Sequence, residues 1–199
     1  MLKMAAIVSG GGSNLQAIID AIAAGQVTNT EIALVISTND RAYALERAKN
    51  HGIDAVVLAK KDFEKPEQRE DELLEHLASR NITLLALCGS LMILSKKFID
   101  DFDGVIINVH PALLPNFGGK GLYGLKVHEA VLAAGAKETG ATVHYVEDGI
   151  DTGRIIKQKK VAVLDGDTPE ALQRRVMEEA EWQILPEVIA MFAERGDKL

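Results

Sequence analysis

At 199 residues the chain is long enough for one domain with a full core, and its net charge of −7 disfavours nucleic acid or an anionic membrane as a partner. Hydrophobic residues make up 47% and charged residues 26%, the balance of a globular protein rather than of a disordered or membrane-embedded one. Cys88 is the only cysteine, which excludes an internal disulfide and a thiolate metal cluster.

The N-terminus lacks the charged and apolar regions of a signal peptide. The apolar run ITLLALCGSLMIL is too short, and too broken by Thr83, Gly89 and Ser90, to cross a bilayer, so a cytoplasmic location is expected. In chain order, MAAIVS, EIALVIS, DAVVLA, TLLALC and VIINV read as strands buried on both faces. Between them lie helical patterns, NLQAIIDAIAAG, AYALERAKNHG and EDELLEHLASRN, the first two ending at a glycine suited to a C-terminal cap. This alternation predicts an α/β fold, a single-domain and mostly parallel sheet with helices on both faces. A helix over LKVHEAVLAAG follows a long loop, then an antiparallel strand pair at the sheet edge from GATVHYVED and GRIIKQKKVAVL. One last amphipathic helix is expected from Thr168-Pro169 to Arg195, with Thr168 as cap and Pro169 in the first turn.

Three stretches carry chemistry. The first strand runs into Ser9-Gly-Gly-Gly-Ser-Asn14 and at once into a helix, where close backbone approach and free amides favour a phosphate. Leu15 stands where a dinucleotide fingerprint needs its third glycine, and no GK[ST] follows, so the ligand reads as a single phosphate group. The alternative is a plain glycine turn capped by Ser13 or Asn14. The second stretch is Ile107-Asn-Val-His-Pro-Ala-Leu-Leu-Pro115, at the carboxyl end of an apolar strand. Asn108 and His110 are two apart, which places both on one side of a strand; an amide donor beside an imidazole suits acyl transfer. A loop histidine before a rigid proline turn is the bland alternative. The third is Glu147-Asp-Gly-Ile-Asp-Thr-Gly153, where Asp151 is the best candidate to orient a histidine, or else a solvated turn acid. His144 reads as a core histidine. His110, His128 and His144 are spaced too widely for a metal set, and no metal is expected.

Taken in order, SGGGSNLQAIIDA, INVHPALLP and GATVHYVEDGIDTG resemble the phosphoribosylglycinamide formyltransferases, folate-dependent enzymes of purine synthesis, over nearly the whole chain. HPALLP and the ATVHYV segment are shared with the wider formyltransferase group, and SGGGSNLQA is the specific part. The resemblance implies a Rossmann-like formyltransferase domain over 1–199, with a nucleotide-binding half over about 1–100 and a catalytic and folate half over about 85–199. It implies that Gly12, Ser13 and Asn14 hold the phosphate of glycinamide ribonucleotide and that Glu181 contacts its ribose. Backbone groups of Leu91, Met92, Ile93 and Leu94, with Asn108, would hold 10-formyltetrahydrofolate as co-substrate. Asn108, His110 and Asp151 would be catalytic. In the implied reaction the ribonucleotide amine attacks the formyl carbon directly, without a covalent enzyme intermediate. Asn108 and His110 donate to the developing oxyanion, and Asp151 raises the His110 pKa. The implied partners are small molecules, with the chain a monomer or homodimer. Met92 and Pro66 stand where many members carry basic residues on the folate side, which leaves contacts to the folate's glutamate tail unassigned. Two other readings are a formyltetrahydrofolate hydrolase using the same three residues on water, and a non-enzymatic nucleotide-binding module. The extra N-terminal domain of the hydrolase and the basic C-terminal domain of methionyl-tRNA formyltransferase are not expected here.

Overall fold

The computed structural model describes residues 1–196, so the last three positions of the expected 1–199 domain lie outside the described residues. Strand β1 (Leu2–Val8) leads into helix α1 (Ser13–Ala23), followed by β2 (Thr30–Ser37), α2 (Tyr43–Asn50) and the short β3 (Ala55–Val57). Helix α3 (Pro66–Ala78), β4 (Leu84–Leu87), a short α4 (Lys96–Asp101) and β5 (Val105–His110) come next. Beyond a long loop lie α5 (Leu125–Ala133), β6 (Glu138–Tyr145), β7 (Ile155–Ala162), α6 (Pro169–Val176) and α7 (Trp182–Arg195). Among the described residues no helix is long and apolar enough to cross a membrane.

One seven-stranded sheet runs β3-β2-β1-β4-β5-β6-β7. It is parallel through β5 and antiparallel for β6 and β7 at the edge. Strand β1 alternates between two cores: Leu2, Met4, Ala6 and Val8 belong with α1, α6 and α7, while Ala5 and Ile7 pack with Leu34, Ile36 and residues of α3 and α4. With both faces covered, alternation of polar and apolar residues disappears from central strands such as β1 and β4, which is why they read as unbroken apolar runs.

Chain order reverses at β1, with β2 on one side and β4 on the other. Crossovers leave such a point in opposite directions and open a crevice beyond the carboxyl ends of the strands. The glycine loop follows β1, Leu91–Leu94 follows β4, and the HPALLP turn follows β5. Topology therefore brings three distant segments to one place.

Four elements depart from expectation. Strand β3, expected to be buried on both faces, is a short edge strand with Ala55 and Val57 exposed, because among the described residues nothing pairs beyond it at that end of the sheet. Helix α4, capped by Ser95, lies between β4 and β5, where the sequence pattern gives no helix. Helix α3 starts at Pro66, ahead of its apolar periodicity, because the fixed φ of proline suits the first helical position; Gln68 Oε1 accepts the Lys65 N–H at 3.0 Å. The final stretch is not one regular helix. A π-turn over Met177–Glu181 joins α6 to α7, and in it the Trp182 N–H reaches the Met177 carbonyl, five residues back. Pro186, one turn on, supplies no N–H to the Trp182 carbonyl, so the hydrogen-bond ladder is already weakened there.

Candidate active site

At the end of β1, Gly12 holds φ +69°, and a Cβ added to it would lie 2.6 Å from Ala44 Cβ on α2, so the position requires glycine. Among the described residues no protein group accepts from the amides of Gly11, Gly12, Ser13 and Asn14. These amides stand at the N-terminus of α1, whose dipole favours an anion. Asn14 Nδ2 donates to Glu181 Oε2 at 2.7 Å, which joins the two ends of the chain inside the protein. Both side chains are buried, and burial pushes the Glu181 carboxyl up to about 7 against the pull of the Asn14 bond. Glu181 is the residue that closes the π-turn.

After β4, Leu91 and Ile93 stand 63% and 69% exposed, while Met92 and Leu94 are buried in the core with Leu58 and Phe98. Ser9 Oγ accepts the Leu91 N–H at 2.9 Å, which docks this segment on the end of β1. Ser95, just beyond it, caps α4 and donates its N–H to buried Glu70 at 2.7 Å. Among the described residues the carbonyls of Leu91 to Leu94 and the amides of Ile93 and Leu94 have no protein partner. Unpaired donors and acceptors between exposed apolar side chains fit a flat heterocycle that carries its own donors and acceptors. Met92 turns its side chain into the core and Pro66 opens α3, so neither contributes a polar contact at this edge.

Asn108 and His110 share one face of β5, as their spacing predicts, and Asp151 reaches both. Asp151 Oδ1 is 3.4 Å from Asn108 Nδ2, and Oδ2 is 3.5 Å from His110 Nδ1. Its side chain is only 10% exposed and accepts the Gly119 N–H at 3.0 Å, so it is not a solvated turn acid. Gly118 makes room for it: a Cβ there would meet Leu114 Cδ2 at 2.4 Å and Asp151 Cβ at 3.2 Å.

His144, read from the sequence as a core histidine, completes the group. It pairs with Asn108 across the β5–β6 ladder. Its Nε2 lies 3.1 Å from Asn108 Nδ2 and 3.6 Å from Asp151 Oδ1. Thr142, two residues earlier on the same face, also went unread. Its Oγ donates to the Ala112 carbonyl at 2.6 Å and accepts from the Leu114 N–H and Gln158 Nε2, fixing the turn after His110.

The remaining contacts set the ring tautomers. His110 Nε2 is 2.8 Å from the Phe117 carbonyl, and His144 Nδ1 is 2.8 Å from the Tyr145 carbonyl. A carbonyl only accepts, so each of those nitrogens carries a hydrogen. In neutral rings the other two nitrogens then turn lone pairs toward Asp151. A carboxylate between two lone pairs is stabilised by a proton on either ring, and the three side chains together can hold and release one.

The charge balance at His110 differs from the expectation based on Asp151 alone. Burial lowers its pKa; the Asp151 charge and the Phe117 carbonyl oppose this and do not win, so His110 lies below the ordinary imidazole value and not above it. For Asp151, burial pushes the carboxyl up. His144, the Gly119 N–H and the charge of His110 outweigh it and hold Asp151 below the usual range. His110 also differs in its partner: its Nε2–H, expected to point at a substrate oxygen, is given to Phe117. Phe117 holds φ +56°, a conformation uncommon outside glycine, in order to present that carbonyl.

His128 on α5 is fully buried, with no partner for either ring nitrogen among the described residues, and burial drives its pKa down to about 4, which keeps it neutral. Burial pushes the Cys88 thiol up to about 12, the wrong direction for a nucleophile. Among the described residues no group of three or more His, Cys, Asp or Glu is arranged to hold a metal ion.

The formyl transferase family profile matches residues 2–189. The phosphoribosylglycinamide formyltransferase of Haemophilus influenzae is 39% identical over 194 residues, which cover 98% of this chain and 88% of that protein. The chain belongs to the phosphoribosylglycinamide formyltransferase family. Its fold is that of glycinamide ribonucleotide transformylase 1 from Symbiobacterium toebii, whose crystal structure matches with a TM-score of 0.90 at 38% identity, over 98% of this chain and 89% of that one. The trifunctional purine biosynthetic protein of Drosophila pseudoobscura is 42% identical over 192 residues, and there the formyltransferase-like chain spans only 14% of the relative's length.

Proposed function

We propose that the protein transfers the formyl group of 10-formyltetrahydrofolate to the amine of glycinamide ribonucleotide, a step of de novo purine synthesis carried out in the cytoplasm on small-molecule substrates. The observation that carries this reading is the meeting, at one crevice, of an anion-favouring loop, an unpaired backbone edge and the Asn108–His110–Asp151–His144 group.

The amides of Gly12, Ser13 and Asn14 take the phosphate, and Glu181 takes the ribose hydroxyls. The backbone of Leu91 to Leu94 pairs with the folate heterocycle between the exposed Leu91 and Ile93 side chains. The folate supplies an activated formyl group. Asn108 Nδ2 donates to the formyl oxygen as it gains charge, and His110 Nε2–H does the same once Phe117 releases it, so a small displacement of the loop accompanies binding. Donors aimed at such an oxygen are each worth about 10²–10³ in rate. The attacking amine gives up one proton and the departing folate nitrogen gains one. Asp151 with its two rings receives and returns that proton, so the protein ends the cycle unchanged.

Hydrolysis would use the same group with water and leave the Asn14–Glu181 pair and the glycine loop without a ligand. Tetrahydrofolate formation followed by absorbance, with and without glycinamide ribonucleotide, separates the two. Formation that depends on the ribonucleotide and yields its formyl derivative is expected. Equal rates without it, with release of formate, would replace transfer by hydrolysis.

A further inference from the structure

We infer that Arg47, on α2, is a positioning residue for the ribonucleotide phosphate: it fixes the glycine loop and adds a positive charge beside its amides. The inference rests on the function proposed above.

The loop's carbonyls are all tied off. Ala44 N–H donates to the Gly10 carbonyl at 3.1 Å, Arg47 Nε to the Gly11 carbonyl at 2.8 Å, and Gln16 N–H to the Gly12 carbonyl at 2.9 Å. With the carbonyls engaged, the amides of Gly11 to Asn14 are left for a ligand. Arg47 spans the loop, because its Nη1 also donates to Gln16 Oε1, on the first turn of α1, at 2.8 Å. Its guanidinium lies over the Tyr43 ring, 5.0 Å from the centroid. Its partners are thus a carbonyl, an amide oxygen and an aromatic face, none of them anionic. Among the described residues no carboxylate pairs with the guanidinium, so its positive charge stands beside a row of unpaired amides. The same helix turn holds the buried Asn14 Oδ1, which has no partner among the described residues and which a ligand hydroxyl would satisfy.

Magnitudes explain why the charge matters. A phosphate monoester carries about −1.5 to −2 near neutral pH, while a helix N-terminus offers roughly +0.5. Amides alone leave most of the phosphate charge uncompensated, with the Glu181 carboxyl bonded to the neighbouring Asn14 side chain. Arg47 supplies a full positive charge, and its planar fork holds Gly11 and Gln16 together in a way that a lysine does not reproduce.

The test uses Arg47→Gln and Arg47→Lys in the full chain, with KM for each substrate, kcat, and the ionic-strength dependence of ribonucleotide KM. For Arg47→Gln, ribonucleotide KM should rise at least tenfold and lose much of its salt dependence, with folate KM and kcat within about twofold. Arg47→Lys should keep the salt dependence and lose less affinity. Unchanged ribonucleotide KM in Arg47→Gln, or equal losses for both substrates with a lowered melting temperature, would overturn the inference and leave Arg47 a strut. If Arg47→Gln does not fold, Arg47→Lys decides, since a salt-insensitive KM in that variant also overturns it. Calorimetric titration of ribose 5-phosphate reads the same site without turnover. Arg47-dependent binding there supports the inference even if the parent fails to formylate the ribonucleotide.

Discussion

Replacing Asp151 by Asn removes a charge and little else. Asp151 holds φ +56°, a left-handed conformation that Asn tolerates as readily, and an amide oxygen can still accept the Gly119 N–H. The carboxylate oxygen lies 3.5 Å from His110 Nδ1, with the two side chains 10% and 5% exposed. At an effective dielectric near 20, that separation corresponds to an attraction of about 5 kcal/mol for the charged pair before desolvation is counted. Burial already holds His110 below its ordinary value, and only the Asp151 charge and the Phe117 carbonyl pull it up. Losing the charge therefore pushes His110 further toward the neutral ring, and the group is less able to take up the proton that the attacking amine gives up. Turnover should fall by about 10²–10⁴, the usual worth of a positioned acid–base group, while the affinity of each substrate stays within about twofold. Initial rates by folate absorbance, ligand titrations and an NMR titration of the histidine rings read the three quantities. A His110 that titrates as in the parent, with turnover within a few-fold, would refute this reasoning and leave Asp151 as an anchor for Gly119.

His144→Phe leaves Asn108 Nδ2 without its nearest acceptor, and turnover should drop about tenfold at little-changed KM; parent-like rates would return His144 to the core. Glu181 keeps its proton up to about 7 in the fold but ionises near the ordinary 4.5 when unfolded, so its effect on stability is absent below about 4.5 and grows to a loss of about 3 kcal/mol as pH rises through 7. Glu181→Gln should therefore melt several degrees above the parent at pH 8 and level with it at pH 4.5, with weakened ribonucleotide binding. Equal shifts at both pH values would show that the carboxyl is not raised. Gly12→Ala meets both the left-handed backbone, at about 1–2 kcal/mol, and the contact with Ala44, so the melting temperature and ribonucleotide affinity should both fall. A variant with parent-like KM would contradict the close approach of α2 to the loop.

The sheet was legible because strands buried on both faces become continuous apolar runs, and the alternation of those runs with helical patterns implies parallel order. Asn108 and His110 were legible because a spacing of two on a strand fixes their relative direction whatever the register. His144 was not, since only the β5–β6 register sets it opposite Asn108, and strand pairing leaves no mark within either strand. The depressed His110 pKa was missed for a related reason: the sequence offers a neighbouring carboxylate but not the depth of burial that outweighs it. The Phe117 carbonyl depends on a positive φ at a residue that rarely adopts one. The π-turn was not legible either: the buried residues Leu172, Val176, Ala180 and Ile184 are spaced by four across it, but the same spacing continues through Val188 and Phe192 in the regular helix α7.

Transfer itself is most directly followed with 10-formyltetrahydrofolate labelled with carbon-13 in the formyl group, incubated with the protein and glycinamide ribonucleotide and read by NMR and mass spectrometry. The label should appear in the amide of formylglycinamide ribonucleotide, in step with tetrahydrofolate formation. Label recovered as formate, with the ribonucleotide unchanged, would contradict the account.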